Sequence, residues 1–375
     1  MTLRRRDFVK GTLAGAAAAA VPACSGAADG AGGPAVQTRR RVQWRLASSF
    51  PRGLDTIFGA AETLASRLEA ISGGYFRIRP YPAGELVPGL QVMDAVQQGT
   101  VQVGHTASYY FIGKDPALAF DAGVPFGLTA RQQFAWFYDG GGLDLVNERF
   151  GAFGILVFPA GSTGTQMGGW FKREVNSIAD LRGLRMRIPG LGGEVMSRLG
   201  VTVQVLAGGD IYPALERGVI DATEWVGPYD DEKLGFHKVA NNYYYPGWWE
   251  PGPTLSFHVN RREWDGLPAE YQEWFRTASV EASTRMLANY DALNPPALKR
   301  LLAAGIRVRP FARDILEAAR RASFELYEET AARDAGYRKI YDAWKEFRAD
   351  SYRFFATAEL SYASFAFPEA QADAG

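Results

Sequence analysis

Apolar positions along the chain switch repeatedly between the period of a strand and the period of a helix. Residues 42–47 have the length and composition of a strand, and residues 56–71 repeat apolar side chains along one helical face. Residues 75–79 then alternate apolar side chains with arginines, which is the period of a half-buried strand. Short helices and strands interleaved in this way predict an α/β protein with a largely parallel sheet.

One local unit occurs twice. Residues 92–104 predict a helix that ends at a glycine and is followed by a strand, and residues 211–224 repeat this order. Two such units predict two similar lobes. Because ligands of such sheets bind beyond the carboxyl ends of the strands, residues 105–110, 224–225 and 228–231 are expected to face a ligand.

The chain becomes mainly helical after residue 257. A long helix is predicted over residues 268–293 and is expected to stop at Pro295 and Pro296, since proline lacks the amide donor that a helix requires. A short strand over 306–309 and a helical region over 314–360 follow. Aromatic side chains recur in this region at helical intervals: Tyr337, Tyr341, Trp344, Phe347 and Phe354. Such a stripe needs a partner surface, which is either the chain's own lobes or a second subunit.

Composition excludes some classes of protein. The chain has 375 residues, 47% hydrophobic and 22% charged, which fits a soluble globular protein of two lobes or domains. Lys+Arg and Asp+Glu are both 41, so the basic surplus typical of nucleic-acid binding is absent. The sequence has no Gly-x-Ser-x-Gly or Walker A motif, and the glycine run at 190–193 lacks the third glycine of a dinucleotide fingerprint. The three histidines are scattered, so few ligands are available for zinc or iron.

Residues 1–28 predict an export signal. Three arginines at positions 4–6 precede a short stretch of small apolar residues, which is too short and too weakly apolar to span a membrane. Arg5 and Arg6, followed by Phe8 and Lys10, resemble a twin-arginine signal, so we expect a periplasmic protein.

Residues 29–40 are rich in glycine and alanine and predict a flexible leader. The single cysteine, Cys24, is either the lipid-attachment residue of a lipoprotein or is removed with the signal. In both cases the mature fold contains no disulfide.

Arg187 is the first candidate for ligand recognition. Residues 184–188 alternate apolar side chains with Arg185 and Arg187 and run into a proline and a glycine, with a helix expected to begin near Gly193. A guanidinium at a strand end beside a helix N-terminus suits a carboxylate. The alternative is that both arginines are solvated surface residues.

A second candidate site combines two acids and an amide. Glu224 precedes Trp225, and Glu250 follows two tryptophans, so each carboxylate lies in an apolar environment that requires a cation or a hydrogen-bond donor. Gln166 lies in a glycine-rich segment that permits close backbone approach. Two carboxylates and an amide oxygen are hard ligands, suited to Na⁺ or Ca²⁺.

Five sequence blocks carry a resemblance to a known family: residues 163–171, 208–215, 221–225, 227–231 and 244–250. With Arg187, they resemble the DctP-type receptors of tripartite ATP-independent periplasmic (TRAP) transporters, in the branch that binds 2-oxoacids or lactate together with a metal ion. The similarity covers nearly the whole mature chain.

The resemblance implies a two-lobed periplasmic-binding-protein-like fold of type II-like class, with hinge strands, a long connecting helix and a C-terminal helical extension. The implied segments are 41–164 plus 253–292 for lobe I, 165–252 plus 293–330 for lobe II, and 331–375 for an extension that can serve dimerisation.

The resemblance also implies roles for individual residues. Arg187 is expected to pair with the substrate carboxylate. Gln166, Glu224 and Glu250 are expected to ligate the cation through their side chains, and Trp225 through its backbone carbonyl. Because the substrate is expected to ligate the same cation, Gln166 is also expected to belong to the substrate site.

The side chains of Tyr109 and Trp225 are expected to form walls of the ligand site. Ser162 stands where this branch commonly has Asn before Thr-Gly, so the size or hydrogen bonding of the preferred acid is expected to differ.

The implied function is a receptor that binds a small 2-oxo or 2-hydroxy monocarboxylate, such as pyruvate or lactate, with a metal cation. It would deliver the acid to the small and large membrane subunits of a TRAP transporter, and it would form a homodimer. Alternatives are a receptor for a dicarboxylate or sugar acid, which would need a second cationic side chain, an exported metal-dependent enzyme acting on 2-oxoacids, and a sensory module for the same ligand.

Overall fold

The structure is a computed structural model that describes residues 39–372. The predicted export signal, Cys24 and nearly all of the predicted leader lie outside the described residues. Residues from Arg40 onward form one compact unit. None of the helices between residues 39 and 372 combines the length and apolar character needed to cross a membrane.

The described strands are short, and all except the last lie before residue 261. They are β1 (Val42–Ser48), β2 (Phe76–Tyr81), β3 (Val103–Thr106), β4 (Ile155–Ser162), β5 (Trp170–Phe171), β6 (Arg185–Arg187), β7 (Thr202–Gln204), β8 (Ala222–Thr223), β9 (Asn242–Tyr245), β10 (Thr254–Asn260) and β11 (Arg307–Pro310).

The helices are interleaved with these strands and dominate the C-terminal third. They are α1 (Gly59–Ile71), α2 (Val92–Gln97), α3 (Ala119–Ala122), α4 (Ala130–Tyr138), α5 (Gly142–Gly151), α6 (Gly190–Arg198), α7 (Gly208–Glu216), α8 (Pro228–Leu234), α9 (Arg261–Asp265), α10 (Ala269–Ala303), α11 (Arg313–Arg333), α12 (Ala335–Phe355) and α13 (Ser361–Ala372). A π-helical turn, Ala356–Leu360, joins α12 to α13.

Two separate sheets define two lobes. The first has the order β2-β1-β3-β10-β4 and the second β11-β9-β5-β8-β6-β7. We call the first sheet with its helices lobe I and the second lobe II. The repeated helix–strand unit occurs once in each lobe, as α2–β3 and as α7–β8.

The chain crosses between the lobes in short segments and in one long helix. Residues 163–169 lead from β4 to β5, residues 246–253 lead back from β9 to β10, and α10 leads again to β11 of lobe II. The N-terminal part of α10 packs on α1 and β4, whereas its contacts with α8 tie it to lobe II. The predicted two-lobed α/β fold with a long connecting helix is confirmed, but the crossing segments 163–169 and 246–253 contain no strand.

The prediction that Pro295 and Pro296 end the long helix is wrong, because α10 runs continuously from Ala269 to Ala303. Each proline disfavours a helix interior by about 3 kcal/mol. Tertiary packing opposes this cost, since Tyr290, Ala297 and Leu301 on both sides of the prolines are fully buried.

The aromatic stripe divides into two parts. Tyr337, Tyr341 and Trp344 are buried, and all three rings contact Phe120 of α3. Phe347 is half-buried, whereas Phe354 is 62% exposed. The chain's own lobe is thus the partner surface for the first part of the stripe.

Candidate functional site

The predicted cation ligands converge at one end of the strands of the second sheet, where the parallel strands β6 and β8 finish. Arg187 ends β6, and Glu224 and Trp225 directly follow β8, which is parallel to β6. Glu250 follows β9. Gln166 precedes β5. Because β5 runs antiparallel to both β8 and β9, Gln166 lies at the same end of the strands. Residues separated by more than 80 positions are therefore brought together by strand direction.

Lobe I closes the other side of this region. A 3₁₀ turn, Ser108–Phe111, follows β3 and carries Tyr109 and its neighbour Tyr110. Between the lobes lies a narrow cavity of about 10 Å³, roughly the room that one water molecule needs. Its lining includes Phe50, Ile57, Tyr109 and Tyr110 from lobe I and Gln166, Arg187, Trp225 and Val226 from lobe II.

Arg187 is 1% exposed and is only partly satisfied by the protein. Its Nη1 donates to the Glu224 carboxylate, and its Nε donates to the backbone carbonyl of Leu206 at 3.1 Å. The guanidinium lies 5.2 Å from the Trp225 ring centroid. Its Nη2 is buried with no hydrogen-bond partner. A buried, planar guanidinium with an unused N–H donor is suited to binding a ligand carboxylate.

Glu224 and Glu250 are both buried. Burial raises the pKa of Glu224 to about 7, and the charge of Arg187 opposes that rise. Burial, and then the negative charge of Glu224, raises the pKa of Glu250 well above its ordinary range, while Arg187 again opposes. The two carboxyls therefore require either protons or added positive charge.

Two buried acceptor oxygens in the same region have no partner: Oε1 of Gln166 and Oε2 of Glu250. With the Glu224 carboxylate they form an oxygen donor set of the kind that Na⁺ and Ca²⁺ prefer, so the residues fit such a cation. No cluster of three or more His, Cys, Asp or Glu suited to a metal occurs in the part of the chain that the structure describes.

Comparison with known proteins decides the family. Residues 48–334 match the family model of DctP, described as bacterial extracellular solute-binding protein family 7. The chain belongs to the DctP family. The predicted family is thus confirmed.

Three similar proteins bear names that state their ligands. The chain is 59% identical over 325 residues to a monocarboxylate 2-oxoacid-binding periplasmic protein of Nostoc sp., covering 87% of this chain and 89% of the relative. It is 48% identical to a TRAP transporter solute-binding protein of Bordetella bronchiseptica, with a TM-score of 0.88 and coverage of 90% and 100%. That structure is described as a mixed-occupancy dimer with copurified calcium and picolinate. A TRAP solute-binding protein of Pseudoalteromonas atlantica, with bound sodium and pyruvate, is 39% identical, with a TM-score of 0.84 and coverage of 87% and 99%.

Gly247 explains how this DctP-family protein brings Glu250 beside Gln166. A Cβ at position 247 would lie 2.6 Å from the backbone oxygen of Gln166 and 2.7 Å from that of Met167. Only glycine therefore allows the two crossing segments to lie this close. Gly208 has a similar role, because a Cβ there would lie 2.6 Å from the Trp225 ring.

Ser162 is not among the residues that line the cavity. Its hydroxyl is buried at the end of β4 and accepts a hydrogen bond from the Gly164 amide at 3.2 Å. The next residue, Thr163, lines the cavity instead, and its hydroxyl accepts from Gln166 Nε2 at 3.2 Å.

Sequence reasoning assigned no site role to Thr163 and did not single out Tyr110 within its segment. Tyr110 lies within residues 105–110, which were expected to face a ligand, and its ring meets that of Tyr109 edge-on with centroids 5.1 Å apart. Residues 228–231 form the first turn of α8 and are absent from the cavity lining, so the expectation that they face a ligand stays a prediction. Asp231 there accepts from Trp170 Nε1 and the Tyr243 hydroxyl, at 2.9 and 2.7 Å.

Two of the histidines are neighbours rather than scattered. His105 on β3 and His258 on β10 lie on paired strands, and burial lowers the pKa of each to about 3, so both are neutral. Ser108, directly before Tyr109, donates to the Asp121 carboxylate and lies 2.9 Å from His258 Nε2. When Asp121 is ionised, the serine proton goes to its carboxylate and His258 donates from Nε2.

This arrangement predicts a pH dependence of stability. Burial raises the pKa of Asp121 from 3.8 to about 6, opposed by Ser108. Between those values the folded protein holds a proton that the unfolded chain has lost, so stability falls as pH rises through about 4 to 6. The free energy of unfolding is measured with urea at pH 4.5 and 7.5. Asp121→Asn is expected to reduce the difference between the two values by about 2 kcal/mol. Asp139→Asn, at an exposed position, is the control; equal pH dependence in wild type and Asp121→Asn would contradict the assignment.

Proposed function

We propose that this protein is a TRAP receptor for a small 2-oxo or 2-hydroxy monocarboxylate of the size of pyruvate or lactate, bound together with Na⁺ or Ca²⁺. The observation that carries the proposal is a set of unsatisfied buried atoms on Arg187, Gln166 and Glu250, of which the first two line the small cavity. Arg187 Nη2 is an unused donor, and Gln166 Oε1 and Glu250 Oε2 are unused acceptors. The names of the Nostoc and Pseudoalteromonas relatives support the same ligand class.

The proposed roles follow from charge and geometry. Arg187 binds the substrate carboxylate, while its contact with Glu224 favours the ionised form of that acid. The side chains of Gln166, Glu224 and Glu250 and the backbone carbonyl of Trp225 hold the cation. When bound, the cation supplies the positive charge that offsets the two glutamates and the anionic ligand.

Aromatic side chains complete the site in this proposal. Tyr109 and Trp225 form opposite walls from the two lobes and exclude water from the ion pair, which strengthens it. Ser162 acts on the substrate indirectly, because its hydroxyl holds the Gly164 amide beside the cavity-lining Thr163.

Closure of the lobes completes the proposed cycle. Lobe I comprises residues 41–164 and 253–292, lobe II comprises 165–252 and 293–330, and the crossing segments act as the hinge. The ligand favours closure only through contacts that improve in the closed form. That form then docks on the small and large membrane subunits. The protein releases its ligand unchanged and is not an enzyme.

The proposed route to the periplasm is twin-arginine export directed by residues 1–28. Two fates remain for Cys24: lipid attachment, or removal with the signal. Mass spectrometry of the mature protein purified from membranes and from the periplasmic fraction distinguishes them, because a lipidated cysteine would be the N-terminal residue.

Calorimetry tests the ligand class directly. The chelator-treated protein is titrated with pyruvate, lactate, longer 2-oxoacids and succinate, in Na⁺, Ca²⁺ and choline buffers. We expect one-site binding of monocarboxylates that requires Na⁺ or Ca²⁺. Tight succinate binding, or pyruvate binding of equal strength in choline, would contradict the proposal.

We also propose that residues 331–375 support a homodimer. Phe354, Tyr362, Phe365 and Phe367 are each at least 62% exposed, and such a run of apolar surface favours a partner. The Bordetella relative is described as a dimer.

Replacing Phe354, Phe365 and Phe367 with serine is expected to weaken dimerisation at least tenfold, because their apolar surface is no longer buried. Sedimentation velocity over a concentration series measures the effect. Val219→Ser, which changes a side chain 46% exposed in lobe II, is the control. A monomeric wild-type chain or a fully dimeric triple variant would refute this arrangement.

A further inference from the structure

A short loop of lobe I contacts helix α8 of lobe II away from the ligand cavity. Lys233 Nζ donates to Asp55 Oδ1 at 2.6 Å, and the Tyr229 hydroxyl donates to Asp55 Oδ2 at 3.2 Å. Thr56 Oγ1 donates to Asp230 Oδ1 at 2.6 Å. Residues 55–56 lie between β1 and α1, whereas residues 229, 230 and 233 lie on α8. Each of these bonds therefore joins the two lobes.

The Asp230 carboxylate is completely buried at this contact. Its second oxygen accepts from the Tyr290 hydroxyl of α10 at 2.7 Å. Burial raises the pKa of Asp230, and the hydroxyls of Thr56 and Tyr290 oppose this rise. A buried carboxylate that loses one of two such donors is left partly unsatisfied, which is costly. Asp230 therefore favours the arrangement in which Thr56 of the other lobe is in place.

The contact and the cavity share their supporting segments. The loop lies between Phe50 and Ile57, which both line the cavity, and α8 directly follows the segment with Trp225 and Val226, which line it from lobe II. Asp55, Thr56, Asp230 and Lys233 themselves are absent from the lining. Movement of either segment relative to the other changes the contact and the cavity together.

We infer that the contact of Asp55 and Thr56 with α8 is an inter-lobe latch that forms on closure and sets how long the bound ligand is retained. The test of this inference rests on the proposed function, because it uses pyruvate as the ligand. The latch residues determine affinity without touching the ligand. Their loss should therefore act mainly on the dissociation rate, since most affinity differences among variants of one site lie in that rate.

The two halves of the latch differ in expected strength. The Lys233–Asp55 pair is exposed, with side chains 32% and 61% accessible, so its loss should raise the dissociation rate about two- to fivefold. The effect should shrink at high salt because exposed pairs are screened. Thr56 serves a buried carboxylate, so Thr56→Val, which keeps the side-chain shape, should raise the rate about tenfold or more.

The experiment compares Thr56→Val and Asp55→Asn with wild type and with Glu232→Gln. Glu232 also lies on α8, but it pairs with Arg300 of α10 at 2.6 Å and not with the loop of lobe I, so it is a matched control. Pyruvate dissociation is measured by stopped-flow tryptophan fluorescence in saturating Ca²⁺, with melting of the ligand-free proteins recorded in parallel. We expect faster dissociation in both latch variants, an unchanged rate in Glu232→Gln and little change in ligand-free melting.

Three results would overturn the latch: wild-type dissociation rates in both latch variants, an equal increase in Glu232→Gln, or a loss of ligand-free stability that matches the loss of ligand retention. Failure of the wild-type chain to bind pyruvate in Ca²⁺ is a separate outcome, which refutes the proposed ligand instead.

Discussion

Arg187→Met is expected to lower the affinity for pyruvate at least a hundredfold. The guanidinium is buried, and truncating one member of a buried, hydrogen-bonded charge pair costs about 3–5 kcal/mol. The variant removes the donor for the ligand carboxylate. It also removes the guanidinium charge that opposes the rise in the pKa of Glu224. Calorimetric titration with pyruvate in saturating Ca²⁺ measures the loss, and circular dichroism confirms that the variant is folded.

Arg185→Met is the matched control for this variant. Arg185 lies two positions away on the same strand, but it is exposed and pairs with Asp221 at 2.6 Å outside the cavity. Its replacement should leave the affinity within about twofold of wild type, as expected for the loss of an exposed ion pair. Equal losses in both variants would mean that general disruption of β6, and not recognition by Arg187, explains the result.

Glu250→Gln is expected to abolish the dependence of pyruvate binding on the cation and to lower the affinity about a hundredfold or more. Glutamine keeps the shape of the side chain but removes one of two negative charges from a site that binds a cation through charge and oxygen ligands. The wild-type protein should lose pyruvate binding in chelator with choline as the only cation. The variant should bind pyruvate weakly and equally in all three buffers.

Direct titration with Ca²⁺ extends this test. Wild-type protein with pyruvate present should bind one equivalent, whereas Glu250→Gln should show no saturable binding in the same range. Glu263→Gln, an exposed position on α9, should behave as wild type. Unchanged Ca²⁺ affinity in Glu250→Gln would remove that residue from the proposed ligand set.

Much of the fold could be predicted because its determinants are local. Strand and helix periods mark most elements within a few residues, and glycines end α2 and α7 where a left-handed residue is needed. Gly99 and Gly218 indeed have φ values of +72° and +70°. The candidate site could be predicted in outline, since Arg187, Gln166, Glu224 and Glu250 stand in unusual apolar or glycine-rich surroundings and come together in the structure.

What could not be predicted depends on long-range packing. The continuity of α10 through two prolines rests on burial by residues from both lobes, which no local pattern encodes. The cavity position of Thr163 rather than Ser162 depends on how the crossing segment turns after β4. The role of Asp230 requires Thr56 and Tyr290, which lie 174 and 60 positions away in the chain.

The path of the chain between the sheets also bears on how the protein unfolds. Lobe I is not a contiguous stretch of sequence, because β10 belongs to it but follows β5 to β9 of lobe II in the chain. Lobe II is also interrupted, and α10 contacts elements of both lobes. Detaching one lobe would expose the buried face of α10 that packs on the other, including Tyr290 and Ala282. The two lobes are therefore thermodynamically inseparable, and unfolding is expected to follow a single cooperative transition.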